Sequence, residues 1–193
     1  MLRPEDYLAA PVEEFVAAVS SHEPTPGGGA VAALGAAMAA GLAAMAASFS
    51  EDVLEEAASI RREADAIRLR TEQLAARDAL AYQDVLAAMR RAKEDPGRHR
   101  AVTEALDAAS EIPLRVVEEA QRVNELASVL FETGNRNLKG DAATAAYFSQ
   151  AAARSAAVLV RLNLDDEDAR VRQAEQLTDR CAVPRFGSES DTD

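Results

Sequence analysis

The 193-residue sequence is poor in the residues that usually advertise a chemistry. It has one cysteine, Cys181, so no internal disulfide can form, and a reducing compartment is expected. Its two histidines, His22 and His99, lie far apart, and no His/Cys grouping has metal-ligand spacing, which argues against a metal centre. There is no tryptophan, and aromatic residues make up 4% of the chain, too few for a β-sandwich core. Alternating apolar runs of strand type are absent as well. No G-x-S-x-G elbow and no Cys–His arrangement points to a nucleophilic hydrolase. Positive charge is scarce. The 21 Lys and Arg residues, only two of them lysine (Lys93 and Lys139), face 33 Asp and Glu, for a net charge of −12. Such a surface repels nucleic-acid phosphates and anionic lipid headgroups, so neither is an expected partner.

What is there is mostly alanine and leucine, within a hydrophobic share of 48%. These are strong helix formers, and the small side chains suit closely packed helices. The reading is an all-α fold, a bundle of long antiparallel helices. Residues 1–186 form one domain, and the acidic stretch 187–193 is a disordered tail. The N-terminal MLRPEDYLAA brings in acidic residues at once, which argues against a secretory signal and for a cytoplasmic protein.

Periodicity predicts a first amphipathic helix from Glu5 to about Ser20, with Leu8, Val12, Phe15, Val16 and Val19 on its apolar side and Pro11 near its effective start. A second runs from Ala30 to about Ser50, with Gly35 and Gly41 allowing close backbone approach. A third spans about Val53 to Glu94, with a buried stripe of Ile60, Ala64, Ile67, Leu74, Leu80, Val85, Leu86 and Met89. Asp95-Pro96-Gly97 ends it. A fourth runs from Arg98 to about Thr133, with Pro113 expected to kink or divide it. A polar loop from Gly134 to Asp141 follows, Asp141 serving as N-cap of a helix to about Leu164. Asp165 or Asp166 caps a last helix ending near Cys181. The uncharged run from Pro24 to Ser50 is long enough to span a bilayer. It opens on proline and glycine, is built of weakly apolar alanine, and is followed by Glu51 and Asp52 rather than a basic flank. It reads as the centre of a bundle.

The most specific local pattern is Pro24-Thr25-Pro26-Gly27-Gly28-Gly29-Ala30. Two prolines disfavour helix before the glycines, and the glycines permit positive φ. A helix opening there presents unpaired N–H groups and its positive dipole end to an anionic or carbonyl-bearing ligand. No GK[ST] ending makes it a P-loop, and no preceding strand makes it a dinucleotide fingerprint. The remaining candidates are carboxylates, amides and arginines in apolar settings: Asp78, Glu111, Asn135, Asn137, Asp141, Arg161 and Asn163. Each has a plainer reading. Asp78 fits a solvated helix face, Asp141 a cap, and Asn163 a partner for a buried backbone group. Arg161 and Asn163, two apart on a helix, point in different directions.

Taken in order, these landmarks resemble the cyclodeaminase/methenyltetrahydrofolate cyclohydrolase family, which includes the C-terminal domain of formiminotransferase-cyclodeaminase. The matching elements are PTPGGGAVAAL at Pro24–Leu34, DALAY at Asp78–Tyr82, the pair Pro113-Leu114 after Ile112, Gly134-Asn135 with Asp141, and VRLNL at Val160–Leu164. The chain departs from the family pattern at Ser48–Asp52, where a lysine-rich stretch is usual, and at Leu159, where asparagine is common. The resemblance implies a homodimer with a folate cleft near the glycine loop. It implies a tetrahydrofolate one-carbon adduct as substrate, and no metal or other cofactor. It also implies one of two reactions: hydrolysis of 5,10-methenyltetrahydrofolate to 10-formyltetrahydrofolate, or cyclisation of 5-formiminotetrahydrofolate with release of ammonia. Asp78 and Asp141 are then the candidate catalytic carboxylates. Pro26, Gly27, Gly28, Gly29, Asn135, Arg161 and Asn163 are the candidate substrate-binding residues. The contrasting reading is a folate-binding or subunit-scaffold protein with a degraded site.

Overall fold

The computed structural model describes residues 2–182 together with 184 and 185; the expected tail at 187–193 lies outside them. Six helices follow one another: α1 (Val12–Val19), α2 (Gly28–Ser48), α3 (Ala57–Met89), α4 (Arg98–Thr133), α5 (Lys139–Asn163) and α6 (Ala169–Asp179). Single 3-10 turns lie at Pro4–Asp6 and Arg136–Leu138, and no strand occurs among the described residues. The bundle is α2 to α5, joined by short connections that force each helix to run back along the last. Cross-links between helices show the same antiparallel sense: Arg70 pairs with Glu119 and Arg122 with Glu63.

The alanine-rich helix α2 is the hub, packed against α3, α4 and α5. Twelve of its residues are buried, eleven of them alanine and the other Gly29. A methyl-sized side chain lets three long helices come close around one axis, and Ile, Leu and Val from α3 and α4 fill the space between them. Gly35 and Gly41 are not needed for that approach. A Cβ there would meet its nearest neighbours at 3.8 and 3.7 Å, ordinary contact distances.

The structure corrects several expected boundaries. The first helix is broken: a 3-10 turn ends at Asp6 and α1 begins only after Pro11, which lacks an N–H to continue a helix across it. Of its predicted apolar side only Phe15 packs against the core; Leu8, Val12, Val16 and Val19 are exposed. In α3, Leu80 and Met89 are exposed instead of belonging to the buried stripe, and Met89 borders a cleft. Helix α4 runs unbroken through Pro113. Asp141 does not cap α5; it stands in the first turn, where its charge complements the helix dipole. Asp168, not Asp165 or Asp166, caps α6 by accepting from the Arg170 N–H at 2.8 Å. The positive φ that the glycines permit is not used, since no described glycine adopts it.

Candidate active site

Antiparallel running brings the start of α2, the ends of α3 and α5 and the first half of α4 to one end of the bundle. A cleft of about 460 Å³ opens there, in the size range of small-molecule sites. Its walls come from Thr25 and Gly27–Gly29, from Asp78, Tyr82, Val85 and Met89 of α3, from Leu106, Ala109 and Pro113 of α4, and from Leu159, Leu162 and Asn163 of α5. Among the described residues, Asp78 is the single charged one of that lining.

Asp78 stands against the glycine loop. A Cβ at position 29 would fall on its carboxylate, so Gly29 is required by close approach rather than by an unusual φ. Gly27, the residue preceding α2, is extended and has no side chain to cap the helix. The cap comes instead from across the bundle, since the Ala30 N–H donates to the Asp78 carboxylate. Burial raises the Asp78 pKa to about 6, and the Ala30 bond offsets only part of that rise. A carboxyl titrating there can take up and release protons near neutrality.

Behind the loop, the hydroxyls of Tyr7 and Thr25 are sealed from solvent, with residues only 4% and 2% exposed. Burial pushes the Tyr7 phenol above its usual range; the neighbouring Thr25 hydroxyl offsets part of this, and the Asp78 charge adds to it. The Tyr7 ring is held edge-on to Phe15, with centroids 5.5 Å apart. The Thr25–Pro26 peptide is cis, and Pro26 is buried outside the cleft lining. Gly28 differs from Gly29, because a Cβ there would meet nothing within 4 Å. The fold does not need glycine at that position, which faces the cleft.

The structure thus gathers Gly27, Gly28, Gly29, Asp78 and Asn163 and leaves the other candidates elsewhere. Arg161 turns outward and pairs with Asp166 at 3.0 Å and Glu175 at 3.8 Å. Asn135 lies at the opposite end of the bundle. It donates to the Phe49 carbonyl at 2.8 Å, and its own N–H donates to the Ser50 hydroxyl at 2.9 Å. Asp141 lies near that end too, twenty-two residues from Asn163 along α5, about 33 Å at helical rise. One chain therefore does not unite its two candidate carboxylates. Sequence reasoning missed Thr25, Tyr7, Tyr82 and the α4 wall as site residues. Tyr82 was legible as the residue one turn beyond Asp78. Pro113 was legible as a helix-interior proline: it has no N–H to give the Ala109 carbonyl, leaving that acceptor in the cleft wall without its helical donor. Among the described residues no group of three His, Cys, Asp or Glu is placed to hold a metal ion.

The family profile described as Formiminotransferase-cyclodeaminase matches residues 11–181. A methenyltetrahydrofolate cyclohydrolase of Methylorubrum extorquens is 30% identical over 176 residues, covering 86% of this chain and 85% of that protein. Among solved structures, a formiminotetrahydrofolate cyclodeaminase from Thermotoga maritima superposes with a TM-score of 0.77 at 28% identity, over 89% of this chain and 91% of that one.

Proposed function

Because the chain belongs to the formiminotransferase-cyclodeaminase family, we propose that it is a folate one-carbon enzyme hydrolysing 5,10-methenyltetrahydrofolate to 10-formyltetrahydrofolate at the Asp78 cleft. The observation that carries this reading is one half-buried carboxylate, its pKa raised to about 6, set against a glycine-opened helix in an otherwise apolar cleft. The methenyl substrate carries its positive charge on the carbon between N5 and N10, and a lone carboxylate in low dielectric stabilises that cation. Water adds to this carbon and Asp78 takes the water's proton. The C–N5 bond then breaks as the hydroxyl becomes the formyl carbonyl, shedding its proton, and N5 takes a proton from Asp78. The sum is substrate cation plus water giving the formyl product and one proton.

The Gly28 and Gly29 N–H groups, which have no intrahelical acceptor, suit the pterin carbonyl. The Ala109 carbonyl, which receives no helical N–H from Pro113, and the Asn163 amide suit its ring N–H groups. Cyclodeamination is the second reading, favoured by the same carboxyl: in its protonated form it can donate to a departing ammonia. Purified protein mixed with 5,10-methenyltetrahydrofolate is expected to accelerate its near-UV absorbance decay over buffer, and Asp78→Asn to cut that rate about 10²–10⁴-fold. Conversion of 5-formiminotetrahydrofolate without methenyl hydrolysis would select the second reading. A folded wild type that binds folate and turns over neither adduct would leave a binding or scaffold role.

A further inference from the structure

Tyr7 and Thr25 carry buried hydroxyls that the packing does not ask for. Tyr7 follows the Pro4–Asp6 turn, which lies on α3, and its ring belongs to the apolar cluster that includes Ala33, Leu74, Ala75 and Ala79. Phenylalanine would fill that place, and valine the place of Thr25. Taking a hydroxyl out of water into such surroundings is unfavourable unless it serves an acceptor or a charge there. The charge at hand is Asp78. The Thr25 hydroxyl neighbours the Tyr7 oxygen and favours its anionic form, as a donor does, while the Asp78 charge acts on the same phenol. With Thr25 donating to Tyr7, the phenol's own proton is left to point toward that carboxylate. Thr25 also shares the cleft wall with Asp78.

No cation faces Asp78 among the described residues of that wall. Helix α2 offers the Ala30 N–H, α3 the Tyr82 phenol, α4 the apolar side chains of Ala109 and Pro113, and α5 the Asn163 amide; the adjacent Arg77 is exposed. The ionised carboxylate therefore depends on uncharged donors. We propose that Tyr7 and Thr25 are positioning residues that act through Asp78, a chain of two hydroxyls running from Thr25 to Tyr7 to the carboxylate and solvating its ionised form from behind. Hydroxyl protons rotate, so the chain aims at the carboxylate when it is ionised and turns away when it is protonated. Each link polarises the next. Burial holds the phenol above its usual range, so it stays protonated and remains a donor. When substrate fills the cleft and displaces water from the front of Asp78, donors built into the fold take the place of that water. The part this plays in turnover rests on the site reading above; the solvation of Asp78 does not.

A carbon-13 titration of the Asp78 carboxyl in the protein without folate, its signal assigned by loss in Asp78→Asn, tests the chain directly. Tyr7→Phe keeps the ring against Phe15 and removes the last donor, and the Asp78 midpoint is expected to rise by about one pH unit. Thr25→Val removes only the first link and should raise it less. Thr25→Ser keeps the hydroxyl and should match wild type. Tyr7→Phe and Thr25→Val should both fold, since each puts an apolar group of similar shape where a buried hydroxyl was. A raised midpoint leaves less ionised Asp78 at low pH. Tyr7→Phe should therefore lower kcat/KM for the methenyl substrate about fivefold near pH 6 and leave it close to wild type at pH 8. An unchanged or lowered midpoint in Tyr7→Phe, or a shift in Thr25→Ser equal to that in Thr25→Val, would overturn the proposal. Turnover of neither adduct by wild type would overturn the site reading alone, and the carbon-13 titration would still decide the hydroxyl chain.

Discussion

Gly28 and Gly29 are adjacent and chemically identical, and the structure gives them opposite tasks. At 29 an added Cβ falls on the Asp78 carboxylate; at 28 it meets nothing within 4 Å. Gly29→Ala is therefore expected to lower stability by about 1–3 kcal/mol through forced displacement of Asp78, as overpacked sites do. Gly28→Val is expected to leave the unfolding midpoint close to wild type and to lower folate affinity, because its branches enter the cleft. Chemical denaturation and titration calorimetry with a tetrahydrofolate derivative check both. An unchanged affinity in a folded Gly28→Val variant would remove the loop from the site. The sequence displayed three glycines and could not tell these tasks apart, since the difference lies in a side chain forty-nine positions away.

At the scale of elements, the buried amide of Asn124 ties three segments together. Its Nδ2 donates to the Ala146 carbonyl of α5 at 2.9 Å and to the Ala182 carbonyl beyond α6 at 3.1 Å, while its Oδ1 accepts the Ala182 N–H at 2.7 Å. Tyr147 and Gln150 of α5 add bonds to the Pro184 and Cys181 carbonyls, so side chains of α4 and α5 strap the segment after α6 to the bundle. Asn124→Ala strands several of these groups, and a loss of about 2–4 kcal/mol is expected in denaturant unfolding, at the level of a few lost buried hydrogen bonds. Protease cleavage near Ala182 is expected to quicken at the same time. A loss under about 0.5 kcal/mol would show that water replaces the amide without penalty. Asn124 sits in Arg122-Val123-Asn124-Glu125-Leu126, and nothing local distinguishes it from a solvated polar residue; its burial comes from the packing of α4 on α5.

For the whole molecule, Asp78 links the cleft to global stability. Its pKa is raised in the folded state, so between its ordinary value and about 6 the folded chain holds more protons than the unfolded chain. Stability from this group is therefore greatest at low pH and declines as pH rises through that window. Above it, the ionised carboxylate costs on the order of 2–3 kcal/mol, because each tenfold change in proton affinity is worth about 1.4 kcal/mol. Asp78→Asn removes the cost and keeps an oxygen for the Ala30 N–H. The variant is expected to match wild type near pH 4 and to exceed it by about 2 kcal/mol near pH 7.5. Denaturant midpoints at the two pH values test this, and an equal difference at both would show that the carboxyl titrates normally. A gain in stability paired with a loss of turnover would mark Asp78 as kept for chemistry rather than for folding.

The sequence by itself determined the helical class, the order of the long elements and their main stops. These follow from alanine and leucine content, the 3.6-residue period, and breakers such as Asp95-Pro96-Gly97, all of which act within a few residues along the chain. It also held the glycine loop and Asp78 as separate landmarks. Tertiary structure alone decided that those two touch, that Arg161 turns away, that Asn135 ties the opposite end, and that most of the apolar side of α1 stays open. The physical reason is that an apolar stripe states only that a face avoids water. Which surface covers it depends on contacts between residues far apart in the chain, and these exist only once α2 has gathered α3, α4 and α5 around it.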